Sequence, residues 1–243
     1  MKRTERHHLK ENELQRLALT ARETMDARRR EMMVALAVIV VIAAGAIGYV
    51  VWKQRVEGRA HGLLAEAVAV EEARIGPPAA PGTVAPGLSF PTERERAQAA
   101  VAKFKLAADA YPDSDAGIFA RYKQAATNML LGVPAEAATA YQDVIQRNGD
   151  GVYGQMARLG LAEAQARSGQ FDQAINSFKE LSQRKDGPLP VDAILMQLGR
   201  TYLDAGKPTE AQQTFNRIVE EYPDSPFNAD AKKELESLKT PTT

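Results

Sequence analysis

Cysteine is absent from the 243 residues, which excludes disulfides, thiolate metal sites, a cysteine nucleophile and a lipidation cysteine. Histidine is nearly absent: His7, His8 and His61 are the three, all in the first third of the chain. The C-terminal half therefore lacks the commonest general base and metal ligand. No Gly-rich phosphate loop occurs. Asn148-Gly149-Asp150-Gly151 reads as a turn between helices, and a calcium loop at Asn148–Asp150 would lack its remaining ligands. Carboxylates such as Glu163 and Asp204 are scattered rather than paired. Lys+Arg and Asp+Glu both number 31, so net charge is zero and no global field points to nucleic acid. The expectation is a non-enzyme with no metal, no cofactor, no nucleic-acid partner and no small-molecule substrate.

What is present begins with an uncharged run. Met32 to Trp52 contains twenty-one residues without a charge. As a helix rising about 1.5 Å per residue it spans roughly 31 Å, close to the thickness of a bilayer's hydrocarbon core. Tyr49 and Trp52 stand at its C-terminal end, where amphipathic rings favour the interface. Ala44 and Gly48 form a small-xxx-small pair, a pattern that arises easily in an Ala/Gly-rich span. The run is too long for a signal-peptide core, and its exit, Tyr-Val-Val-Trp, is no small-residue cleavage site. An uncleaved transmembrane helix over residues 32–52 is expected. Nine Lys/Arg precede it, whereas Lys53, Arg55 and Arg59 are the three in the next twenty residues. The cation bias places the polar tail, residues 1–31, in the cytoplasm and the C-terminal body outside it.

Residues 53–75 continue helix-friendly, with Val56, Leu63, Ala67 and Val70 forming a stripe expected to pack on the C-terminal body or on a partner. Residues 76–91 contain five Pro and three Gly and read as a flexible or extended linker. From Thr92 the chain repeats. Ala100, Ala137, Ala174 and Ala211 are 37 residues apart each time. Four positions on stand Phe104, Tyr141, Phe178 and Phe215, and three further on Ala107, Val144, Leu181 and Ile218. Gly132, Gly169 and Gly206 keep the same step, and Tyr-Pro-Asp-Ser occurs at Tyr111 to Ser114 and again at Tyr222 to Ser225.

Each column has a physical reason. A small Ala with an aromatic at i+4 and an apolar residue at i+7 shares one helix face, so a neighbouring helix can approach the Ala and the ring can fill the space beside it. The glycine five residues earlier ends the preceding helix in the left-handed region. Pro134 and Pro208 suit first-turn positions, and Asp113/Ser114 and Asp224/Ser225 offer capping oxygens. The expected helices lie near 92–111, 115–131, 134–148, 152–168, 170–185, 189–205, 208–222 and 226–239, the last as a polar cap, with 240–243 a short tail. The fold class is all-α: helix pairs that stack into a solenoid over residues 92–239 because a single pair cannot bury its apolar face, preceded by one transmembrane helix.

These columns resemble the tetratricopeptide repeat. Its small first-helix residue is matched by Ala125, Ala162 and Gly199, and its turn glycine by Gly132, Gly169 and Gly206. Its second-helix Ala and aromatic are matched by the columns above. The period is 37 where the family usually has 34, and the usual bulky first-helix site holds Arg121, Arg158 and Leu195. The resemblance implies protein binding on a concave surface lined by first helices, with Phe119, Tyr122, Met129, Met156, Leu159, Glu163, Arg167, Met196 and Arg200 as candidates. Met and aromatic groups suit varied apolar peptides, and Arg can hold a carboxylate. Core packing is the competing role for Phe119, Tyr122 and Met129. The layout, with the segment His8 to Leu14, also resembles single-pass bacterial inner-membrane proteins with a periplasmic tetratricopeptide domain, the ancillary subunit of the Sec translocon among them. That resemblance implies translocon subunits, periplasmic chaperones or client polypeptides as partners. A coordinator of cell division or outer-membrane assembly is the alternative.

Overall fold

The computed structural model describes residues 29–76, 87–149, 151–184 and 189–239. The chain divides into two compact units, Met1–Arg55 and Val56–Thr243. Helix α1, Arg29–Glu71, belongs to both. In the first unit its side chains from Met32 to Trp52 are exposed: Met33 by 61%, Val41 by 70%, Ile47 by 66%. It is long and apolar enough to cross a membrane. A core helix of the same composition would have these side chains covered. The expected cytosolic tail, apart from residues 29–31, lies outside the described residues.

The second unit is helical. After residues 56–71 of α1 come α2 (Glu93–Ala110), α3 (Asp115–Leu131), α4 (Pro134–Asn148), α5 (Val152–Arg167), α6 (Phe171–Ser182), α7 (Val191–Asp204), α8 (Pro208–Glu221) and α9 (Asn228–Lys239). From α2 on, each helix packs on the next in sequence. In addition α3 touches α5 and α5 touches α7, so the first helices of successive pairs form a continuous layer.

The repeat columns explain why these segments form these pairs. Ala100, Ala137, Ala174 and Ala211 are fully buried. Phe104, Tyr141, Phe178 and Phe215 are at most 5% exposed, and each such ring removed from water contributes about 1.5–3 kcal/mol. The turn glycines adopt φ of 76°, 74° and 70° at Gly132, Gly169 and Gly206, a conformation that a Cβ makes costly. Pro134 and Pro208 take first-turn positions. Ser114 Oγ accepts from the Gly117 N–H at 3.0 Å, capping α3. Ser225 Oγ instead accepts from Phe227 N at 3.0 Å and donates to Asp192 at 2.6 Å, tying the turn before α9 to α7.

The segment read as a neck is a structural part of the repeat body. Ala67 and Val70 are buried in one cluster with Ala100, Phe104, Ala107, Ala108 and Ala120, and Leu63 packs against it. The spacing Leu63, Ala67, Val70 is the spacing of Arg121, Ala125, Asn128 one pair later. Residues 56–71 therefore serve as the first helix of the first pair, with α2 as its second. Within the segment expected as a linker, residues 77–86 lie outside the described residues. Its flanks are pinned together: Arg74–Ile75 (β1) and Ser89–Phe90 (β2) pair in parallel, Gly76 N donates to Phe90 O at 2.9 Å, and Arg96 reaches Ala73 O at 3.2 Å.

Candidate functional site

The first-helix layer divides the expected binding residues into three groups. Phe119 and Tyr122 on α3, and Met156, Leu159 and Glu163 on α5, are half-buried, so part of each side chain meets solvent. Arg167 and Arg200 are exposed. Met129 and Met196 are core residues, 7% and 1% exposed, which corrects their placement on a binding surface. Met129 stands one helical turn beyond Ala125 and faces the same interior as Tyr141 and Val144. Met196 shares its column with Tyr122 and Leu159, but in the last pair it lies in one cluster with Ala231 and Leu235 of α9. Leu159 also leans against that cluster.

The half-buried group has a definite arrangement. The Phe119 and Tyr153 rings lie 5.1 Å apart, Tyr153 and Tyr122 6.0 Å, and Tyr122 and Tyr141 5.8 Å, all tilted. This row of four rings joins α3, α4 and α5. It ends at Gly160, where a Cβ would stand 2.3 Å from Tyr141 Cζ. The missing side chain is what lets the ring lie against α5. Glu163 follows one turn later. Sequence reasoning missed Tyr153 as part of this surface and Gly160 as the buried position that seats the Tyr141 ring beneath it. Tyr153, Met156, Gly160 and Glu163 recur at three- and four-residue steps, which was the available signal.

Burial governs the electrostatics here. Glu163 is raised above the ordinary carboxylate range by loss of solvent, an effect that Arg167 partly opposes. Tyr122 is raised by burial and then by the Glu163 charge. Tyr141 is raised further, first by burial and then by Tyr122 and Glu163. Arg167 points its Nη1 at the carbonyl of Met129, 3.4 Å away. Arg200 is engaged by Asp230 at 4.0 Å and Glu234 at 3.8 Å, both on α9. Among the described residues no group of three His, Cys, Asp or Glu is placed to hold a metal ion.

Arg121, in the column expected to be bulky and apolar, works on the other side of α3. It donates from Nε to Asp143 at 2.8 Å, from Nη1 to Gln124 at 2.8 Å and from Nη2 to Asp109. Arg147 holds the second oxygen of Asp143 at 2.7 Å and also pairs with Asp113. An ion network thus stands in for an apolar contact and links α2, α3 and α4.

Comparison with known proteins agrees with this geometry. The family model for the tetratricopeptide repeat matches residues 129–188, 159–226 and 196–235. Residues 129–235 carry tetratricopeptide repeats. No curated protein matches the sequence. Among solved structures, a Podosopora anserina kinesin-light-chain candidate with nearly identical TPR-like repeats is 16% identical with a TM-score of 0.52, over 60% of this chain and 79% of that one. A single-substitution form of that protein is 16% identical with a TM-score of 0.51, over 60% and 78%. YrrB, a TPR protein with an unusual peptide-binding site, is 20% identical with a TM-score of 0.46, over 58% and 68%. At these identities the Podosopora structures support the fold alone: a solenoid of TPR-like helix pairs.

Proposed function

We propose that this protein is a membrane-tethered tetratricopeptide scaffold that holds segments of other proteins against its first-helix layer. The observation that carries this reading is the half-buried row Phe119, Tyr153, Tyr122 with Met156 and Glu163 beside it. Apolar and aromatic groups that stay partly in water on a layer of packed helices are suited to a peptide with alternating apolar and polar contacts. The exposed apolar helix over residues 32–52 supplies the tether, and the excess of Lys/Arg before it supports a cytoplasmic N-terminus with the repeats on the periplasmic side. The layout supports service beside the Sec translocon, passing client polypeptides to or from periplasmic chaperones.

A photo-crosslinking residue at Phe119 or Met156, activated in native membranes, tests the partner. Adducts with translocon subunits, chaperones or exported chains are expected. Adducts confined to division or outer-membrane assembly proteins would replace the translocon by that alternative. Equal adducts from outward positions such as Glu136 would refute the first-helix layer as the binding face. A periplasm-only reporter fused after Thr243 tests sidedness: it is expected to be active, and a silent one beside an active cytosolic reporter would invert the topology.

A further inference from the structure

The half-buried carboxylate at the end of the ring row is unspent by the fold. Glu163 makes no hydrogen bond and no ion pair among the described residues. The cation that opposes its burial, Arg167, is turned to the Met129 carbonyl and stands outside ion-pair distance of the carboxylate. The aromatic phenols nearest in charge coupling, Tyr122 and Tyr141, carry no positive group. Elsewhere the solenoid pairs the part-buried Arg121 with Asp109 and Asp143 and Lys123 with Glu71 at 2.8 Å, while Arg158 Nε, on the same helix as Glu163, is buried without a partner. A partly desolvated carboxylate that makes no ion pair gains more from a ligand cation than a fully hydrated one does. The ring faces alongside add attraction for the same sign of charge.

We propose that Glu163, with Tyr122 beside it, is a subsite for a cationic side chain, the ammonium of Lys or the guanidinium of Arg, in a peptide held on the first-helix layer. The proposal rests on the reading that this layer receives a partner segment and adds the chemistry of one residue of that segment. The stem of Lys or Arg would lie along the Tyr122 ring while its charged head meets the Glu163 oxygens. Arg167, next to the carboxylate in charge coupling but held at the C-terminal end of α3, leaves that position to the ligand.

The test uses the full chain in detergent and a displayed library of random decapeptides. Wild type is expected to enrich peptides with Lys or Arg at one fixed register between apolar positions. Replacing that Lys by norleucine in a selected peptide is expected to weaken binding about tenfold or more. Glu163→Gln is expected to keep the helical circular-dichroism signal and to lose the advantage of the Lys peptide over the norleucine peptide. An unchanged Lys advantage in Glu163→Gln overturns the subsite. Enrichment of Asp or Glu instead, abolished by Arg167→Gln, also overturns it. Failure of wild type to retain any peptide overturns the binding-face reading itself, which separates the two failures.

Discussion

Replacing Arg121 measures how much an ion network can do in a place where the repeat usually uses apolar packing. The Arg121 side chain is 14% exposed, that of Asp143 25% and that of Asp109 45%. The shielded bond to Asp143 contributes about 1.5 kcal/mol and the bond to Gln124 about 1 kcal/mol. The exposed pair with Asp109 adds no more than about 0.5 kcal/mol. The buried stem contributes about 0.5 kcal/mol. Neither acid is stranded by the change, because Arg147 still holds Asp143 at 2.7 Å and Lys105 still holds Asp109. The larger penalty of an unpaired buried charge therefore does not apply. Arg121→Ala is expected to cost about 3 kcal/mol, and Arg121→Leu about 1 kcal/mol less because apolar contact is regained. Urea unfolding of the full chain in detergent, followed by circular dichroism, reads the loss. A double-mutant cycle with Asp143→Ala should return a coupling of about 1–1.5 kcal/mol. Most of that coupling should survive at about 1 M salt, since the pair is shielded. A loss under about 0.5 kcal/mol, or a coupling that disappears in salt, would show that the network is a surface pairing and refute the reasoning.

Four further outcomes follow from the same geometry. Asp109 lies below its ordinary range, first because Lys105 donates to it and also because Arg121 does. Its contribution is therefore present above the unfolded carboxylate pKa and lost as pH falls through the folded one, and Asp109→Asn should flatten an acid titration of stability in that window. Glu163 has the opposite sign: burial raises it, so its charge destabilises the fold as pH rises through the carboxylate range. Glu163→Gln should be at least as stable as wild type at neutral pH, and a clear drop in its urea midpoint would contradict that. Gly160→Ala drives a Cβ to within 2.3 Å of Tyr141 Cζ, and the overpacking cost of about 1–3 kcal/mol should exceed the roughly 1 kcal/mol that Ala gains over Gly in a helix. A raised melting temperature would refute the close packing of that ring. A fragment beginning at Thr92 uncovers Ala100, Phe104 and Ala107, so the amides of α2 should exchange freely in it while staying protected in the full chain. Equal protection in both would show that residues 56–71 contribute nothing to the repeat body.

Much of the fold was legible because its determinants are local and recur. The helix faces follow from an Ala, an aromatic and an apolar residue at four- and three-residue steps, and the helix ends from glycines that take positive φ. Gly132, Gly169 and Gly206 do so at 76°, 74° and 70°. The exposed apolar helix was legible from charge alone, since no fold-dependent contact is needed to make twenty-one uncharged residues avoid water.

The candidate site was legible only in part. A 37-residue column assigns Tyr122, Leu159 and Met196 the same place on a first helix, yet Met196 is buried in one cluster with α9 while Tyr122 stays half open. Periodicity gives the direction of a side chain on its own helix and is silent about what stands opposite. The same limit hid residues 56–71 as the missing partner of α2, because a Pro/Gly segment separates the two helices in sequence while Ala67 and Val70 meet Phe104 in space.

By itself, then, the sequence determined the element types, the repeat length, the helix caps and the uncharged span, all of which are set within a few turns of chain. Only the tertiary structure decided which first-helix residues are core, that Arg121 is saturated by acids from two neighbouring helices, and that Glu163 makes no ion pair at the end of a row of rings. Those outcomes depend on pairings between separate helices, and free energies of burial and charge are settled by what those neighbours are.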